Sequence, residues 1–188
     1  MPAPEPQFEE EEHPRSKDGT FSATSLSKPL SPDEERALSD YSAGGADTVN
    51  TALRTGAMRE EHKAESALID SSMRKSSLIS NTTVLRGMKS VGRFENLKPG
   101  DVMSQPGFMS TTRSPAIAES FANESKYRPT EAGKGAVMVI KAARGARAVD
   151  MTNYTQHARE REVLFPRNAR LRFESHETGT NRYHFTLL

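Results

Sequence analysis

The sequence predicts an α+β domain, and three observations predict it. Apolar residues recur at helical spacing between residues 31 and 71, short strand-like runs replace them from Thr82 onwards, and the two kinds of segment do not alternate as they do in a doubly wound sheet. A chain of 188 residues buries one core of ordinary size, so a single folded domain is expected.

Residues 1–30 are rich in Pro, Ser and Glu, include the acidic run Glu9 to Glu12, and carry few large apolar side chains to offset the entropy of ordering. They are read as a flexible leader, with the folded domain at residues 31–188. Ser31-Pro32-Asp33-Glu34 starts the first helix: Ser31 caps, Pro32 fits the first helical position and Glu34 completes a capping box. Leu38 and Tyr41 then face the core. Ala43-Gly44-Gly45 breaks this helix, and Asp47 is expected to cap a second one that carries Val49 and Leu53 one turn apart. A third helix follows Gly56, with Ala64, Ala67, Leu68 and Ser71 inward and Glu60, Glu61, Lys63 and Glu65 outward.

Beyond it, strands are expected at residues 82–86, 107–111, 136–141, 147–149, 162–165, 170–174 and 183–187. Ser114-Pro115 interrupts them with a capped helix presenting Ile117, Ala118 and Phe121, and residues 177–181 read as the turn of a terminal hairpin.

Composition excludes several functions. Lys and Arg number 26 against 25 for Asp and Glu, a formal charge of +1, so no bulk field favours nucleic acid or anionic lipid. The basic residues between Lys134 and Arg147 lack the interleaved aromatics of a nucleic-acid footprint. There is no cysteine, hence no disulfide, thiolate metal site or thiol nucleophile. His13, His62, His176 and His184 show no metal-ligand spacing, and no metal is expected. No apolar run is long enough to span a bilayer, and the N-terminus lacks the basic and then apolar pattern of a Sec signal, so no membrane partner is expected.

Three segments carry candidate chemistry. In Glu160-Arg161-Glu162-Val163-Leu164, two carboxylates lie two positions apart at the start of an apolar strand, a spacing that puts both on one face. Such a pair is destabilising unless a substrate or a cation uses it, although a solvated strand edge has the same composition. In Thr83-Val84-Leu85-Arg86-Gly87, an arginine suited to gripping phosphate ends an apolar strand, and the glycine after it admits a close ligand. In Gly107-Phe108-Met109-Ser110-Thr111-Thr112, hydroxyls follow a turn and can orient a carboxylate or bond a ribose; structural strands use them as well.

Taken in order, these segments resemble the Arg-Ser-Glu class of arginine-specific mono-ADP-ribosyltransferases. Leu97-Lys98-Pro99-Gly100-Asp101-Val102, Ala118 to Phe121 and Asn50-Thr51-Ala52-Leu53-Arg54 add to the resemblance, which covers residues 31–188. It implies helices packed on a mixed two-sheet β core and NAD⁺ as co-substrate. Arg86 then matches the residue that contacts the NAD⁺ phosphates, and Gly87 the one whose backbone meets the nicotinamide amide. Ser110 matches the serine that positions the catalytic glutamate, Glu162 that glutamate, and Glu160 the upstream carboxylate that goes with arginine acceptors. Thr111 and Phe121 join Arg86, Gly87, Ser110 and Glu162 as cofactor-binding residues. Thr112 replaces a serine common in the family and keeps the hydroxyl.

By position, residues 150–159 match the family's substrate-recognition loop. There Tyr154 and His157 are either contacts to the target protein or, respectively, a packing anchor and an exposed side chain. Lys126, Tyr127 and Arg128 are either a cover over the dinucleotide or a solvated charge run. The chemistry agrees with the assigned roles: loss of nicotinamide leaves an oxocarbenium-like ribose that a carboxylate stabilises, and a protonated guanidinium needs a second carboxylate to accept its proton. The resemblance further implies a bacterial or phage toxin or effector that leaves by a non-Sec route and acts in a target cell's cytosol. Its partner is a target protein bearing an arginine, and an export chaperone or immunity protein fits the same reading. Two alternatives stay open: an NAD⁺ glycohydrolase with water as acceptor, and a non-catalytic binding module of the same fold.

Overall fold

Local capping chemistry sets the first helix, α1, Pro32–Asp40. Ser31 is extended, its hydroxyl accepts the Glu34 N–H at 3.3 Å, and Glu34 Oε2 accepts the Ser31 N–H at 2.7 Å, the capping box read from the sequence. The computed structural model describes residues 19, 21–92, 94–123 and 135–188. Residues 1–18 of the expected leader, and Lys126, Tyr127 and Arg128, lie outside the described residues.

The Ala43-Gly44-Gly45 break is a change of winding: Tyr41–Gly45 form a π-helical turn with Gly44 at φ 130°, and the chain continues into α2, Ala46–Thr55. Asp47 is not the cap expected of it. It lies in the first turn of α2, whose N-cap position is Gly45 and has no side-chain hydrogen bond. A carboxylate there still complements the helix dipole. Gly56, in the left-handed region at φ 75°, ends α2, and α3 runs Glu60–Lys75. Leu38, Tyr41, Val49, Ile69 and Met73 from these helices form one buried cluster with Phe108, Val149, Met151 and Leu164. That cluster docks the helical layer on the sheet.

Among the described residues ten strands follow the expected class with additions. β1, Thr24–Leu26, pairs antiparallel with β2, Ser76–Leu78. The others are β3 (Thr82–Met88), β4 (Val102–Gln105), β5 (Met109–Thr112), β6 (Ala136–Ala142), β7 (Val149–Asp150), β8 (Glu162–Phe165), β9 (Ala169–His176) and β10 (Arg182–Leu187), with helix α4, Pro115–Asn123, between β5 and β6. They form one hydrogen-bonded series, β4-β9-β10-β6-β3-β5-β8-β7. β10 and β6 are parallel and the other neighbours antiparallel, so the sheet is mixed. The two sheets expected of the β core are joined in this one series, whose slightest junction is between β3 and β5, where Leu85 and Thr112 are in register.

β1, β2 and β4 were not expected. Thr24-Ser25-Leu26 and Ser76-Ser77-Leu78 are too short and polar to show alternation, and β4 is an edge strand without a fully buried residue. Residues 23–26, expected within the leader, belong to the fold for the same reason. Ala23 and Thr24 are buried, and residues 24–26 gain a ladder partner in β2, so pairing with distant chain offsets an ordering cost that the segment's own side chains do not.

Glu34 has a second partner, Lys75 Nζ at 2.6 Å, which ties α1 to the end of α3. Burial alone raises the Glu34 carboxyl, but hydrogen bonds from Lys75, the Ser31 N–H and Ser71 outweigh it and bring it from 4.5 to about 2. A carboxyl lowered on folding contributes stability that is fully present above its unfolded value and is lost as pH falls through the folded one. Stability is therefore expected to drop between pH 4.5 and about 2. Lys75→Met is expected to cost about 3 kcal/mol at neutral pH and to flatten that acid dependence, read by urea unfolding at several pH values. Lys63→Met, which removes the exposed pair with Glu60, is the control expected to change little.

Candidate active site

Three neighbouring strands deliver the three principal side chains. β5 carries Ser110 and lies between β3, which carries Arg86, and β8, which begins with Glu162; Ser110 is in register with Leu164 and Thr112 with Glu162. Arg86 Nη1 donates to the Ser110 carbonyl at 2.5 Å, which draws the guanidinium across β5. Arg86, Ser110, Glu160 and Glu162 all line one cleft of about 300 Å³, together with Gly87, Thr111, Phe121 and Arg54.

The helical layer adds a polar chain that sequence reading missed. Asn50 Nδ2 donates to the Tyr41 hydroxyl at 2.9 Å and to the Phe108 carbonyl at 3.2 Å, and Tyr41 Oη lies 3.4 Å from Ser110 Oγ. The phenol oxygen thus accepts from the Asn50 amide and shares its proton or a lone pair with the Ser110 hydroxyl, and a hydrogen bond from Ser110 favours the charged form of Glu162. Burial raises the Tyr41 phenol above its ordinary value, which keeps that proton in place. The available signal was Asn50 itself, a polar residue beside Val49 on the buried face of α2. Gly107 belongs to the same unit, because a Cβ there would collide with the Asn50 side chain.

The two glutamates are not mounted alike. Strand spacing was expected to put both on one face, but β8 starts only at Glu162, Glu160 closes a 3₁₀ turn (Ala158–Glu160), and Arg161 between them is left-handed at φ 48°. A turn and an unusual backbone conformation bring Glu160 to the cleft. Thr112 Oγ1 donates to the Glu160 carbonyl at 2.5 Å and accepts the Ser114 N–H, while the Arg113 N–H donates to the Arg161 carbonyl at 3.2 Å.

Burial pushes the Glu162 carboxyl up and the adjacent Glu160 charge adds to the rise; the Ser110 hydrogen bond, Arg86 and His157 oppose it, leaving the group at about 6.

Other expected residues find different employment. Thr111 lines the cleft, but its hydroxyl is buried and donates to the Val163 carbonyl at 2.6 Å. Gly87 is needed for packing: a Cβ would meet the Ala118 carbonyl, and Ala122 N and Phe121 Cβ at 2.7 Å. Its absence lets α4 lie against β3 and present Phe121, 44% exposed, at the cleft. Tyr154 is half-buried against the helical cluster, and His157 is exposed; neither lines the cleft. Ser42 Oγ donates to Thr155 Oγ1 at 2.7 Å and fastens their loop to the π-helical turn. Among the described residues no group of three or more His, Asp or Glu is placed to hold a metal ion.

Known proteins resemble this chain in sequence and in fold. A family model described as ADP-ribosyltransferase exoenzyme matches residues 19–185. Exoenzyme T of Pseudomonas aeruginosa is 30% identical over 149 residues, 77% of this chain and 29% of that protein. The Vibrio splendidus protein provisionally named NAD⁺–arginine ADP-ribosyltransferase Vis is 24% identical over 158 residues, 81% of this chain and 62% of that protein. The chain thus spans less than two thirds of the length of these relatives. Among solved structures, ADP-ribosyltransferase Vis in complex with agmatine matches with a TM-score of 0.65 at 24% identity, covering 87% of this chain and 76% of that one. Plx2a, an ADP-ribosyltransferase toxin from Paenibacillus larvae, matches with a TM-score of 0.67 at 17% identity, covering 85% and 87%. At these identities the likeness establishes the fold.

Carboxyl NMR titration checks the electrostatics of the cleft. Glu162 is expected to ionise with a midpoint near 6. Glu160→Gln removes a neighbouring negative charge and is expected to lower that midpoint; Ser110→Ala removes a hydrogen bond to the carboxylate and is expected to raise it. An ordinary midpoint near 4.5 in the wild type contradicts the geometry.

Proposed function

The chain belongs to the ADP-ribosyltransferase exoenzyme family, and we propose that it transfers ADP-ribose from NAD⁺ to an arginine of a target protein, releasing nicotinamide. The observation that carries this reading is the convergence of Arg86, Ser110, Glu160 and Glu162 on one cleft. A guanidinium is a rigid fork of N–H donors suited to phosphate oxygens, and Arg86 and Arg54 bring two such cations to the lining of the cleft. Glu162, oriented by Ser110, holds the ribose and stabilises the positive charge that develops as the C1′–nitrogen bond breaks and nicotinamide leaves with the bonding electrons. A guanidinium nitrogen of the acceptor then bonds to C1′, and its proton passes to Glu160.

Arginine as acceptor is supported by the glutamate at position 160 and by relatives: Vis is named for NAD⁺ and arginine and is seen with agmatine, a guanidinium compound. Names such as exoenzyme and toxin among the relatives support a protein target in another cell, acted on in its cytosol. An export chaperone or an immunity protein belongs to the same reading.

Incubation with labelled NAD⁺ and agmatine or a cell lysate tests it. Glu162→Ala is expected to abolish both labelling and nicotinamide release. Glu160→Ala is expected to lower transfer by about 10²-fold or more while nicotinamide release survives better. Release without labelling by the wild type identifies a glycohydrolase, and absence of both products refutes the enzyme reading.

A further inference from the structure

We infer that Asp150 is a positioning residue which, paired with Arg113, holds Glu160 in place and so sets the partition between transfer to arginine and hydrolysis of NAD⁺; this rests on the transferase reading above. Asp150 ends β7 and is 4% exposed. Its carboxylate accepts the Ala23 N–H at 2.7 Å, Arg113 Nη2 at 3.0 Å, the Thr152 N–H at 3.1 Å and Thr152 Oγ1 at 2.6 Å. Neither Asp150 nor Arg113 lines the cleft, so this buried pair serves no direct ligand contact there.

What it serves is the loop that follows. Asp150 begins the loop and Glu160 and Arg161 end it; Arg113, just past β5, fastens both ends, and Thr112, the last residue of β5, fastens the second. Arg113 grips the start through its side chain and the Arg161 carbonyl through its N–H; Thr112 grips the Glu160 carbonyl. The loop is thus a closed clip. The left-handed conformation of Arg161 is unfavourable for a residue with a side chain, and it persists where surrounding contacts over-determine it. Opening the clip at Asp150 removes the ion pair that fixes the Arg113 side chain, lets Arg161 relax and carries Glu160 off its station. Glu162 is held separately, by the β5–β8 ladder and Ser110, so loss of nicotinamide to water continues.

The test compares Asp150→Asn, Arg113→Met and the double variant. The double variant leaves no unpaired buried charge and guards against simple unfolding of the single ones. Transfer to agmatine and nicotinamide release are measured on the full chain, together with hydrogen–deuterium exchange. Each single variant is expected to lose transfer by about 10-fold or more and nicotinamide release by less than about 3-fold, since small misplacements of a catalytic group cost rate steeply. Faster exchange is expected in residues 151–161 with β5 and β8 unchanged, and the double variant is expected to be no worse than either single one. An unchanged ratio of transfer to release overturns the inference, as does a parallel fall of both with exchange accelerated throughout the chain. If the wild type yields neither product, the transferase reading fails; the exchange result then judges the clip alone, and unaltered exchange in residues 151–161 overturns it.

Discussion

β5 is four residues long, and the cleft depends on its being paired on both sides. Its ladder with β8 sets Ser110 beside the strand that starts with Glu162, and its junction with β3 lets Arg86 reach across to the Ser110 carbonyl. The β3 junction is slight, one residue pair in register, so side chains complete what the backbone ladder leaves open. Arg86 does so on one side; Thr111 and Thr112 do so on the other by donating to carbonyls of the β8 segment. The hydroxyl-rich character of β5 is therefore structural at two of its positions and addressed to the cleft at Ser110.

Buried polar groups organise the molecule around this strand. Unpaired, a buried carboxylate costs more than it contributes, and Glu34 and Asp150 each accept several donors. Glu34 joins α1 to α3, Asn50 and Tyr41 join the helical layer to Ser110, and Asp150 joins β1, the β5 terminus and the loop before β8. The apolar cluster formed by Tyr41, Phe108, Leu164 and their neighbours supplies adhesion between the layers, while the polar contacts select one relative placement of them.

The two glutamates illustrate a division of labour. Glu162 opens a strand whose next three residues are fully buried, and it inherits the rigidity of that strand. Glu160 sits on a short turn whose geometry is imposed from outside, by Thr112 and Arg113. In the proposed transfer, a rigid carboxylate suits a charge developing at a fixed ribose carbon, and a carboxylate on a loop suits an acceptor brought by a second protein.

Much of this was legible in the sequence by itself. The capping box at Ser31, the helix breaker before Ala46, the strand at Glu162–Phe165 and the α+β order are written in local chemistry, because capping, glycine and alternation act over a few residues. The set Arg86, Ser110, Glu160 and Glu162, which lines one cleft, was singled out through spacing that resembles a family pattern. Only the tertiary structure decided the rest. It decided that Thr24–Leu26 is a strand, that the Thr111 hydroxyl is committed to Val163, that Gly87 leaves room for α4, and that Glu160 arrives on a turn. It also decided that Asn50, Tyr41 and Asp150 matter. Each of these rests on a partner far away in the chain, such as Ser76–Leu78 for β1 or Ala23 and Arg113 for Asp150, and a contact between distant residues leaves no periodicity in the sequence on either side of it.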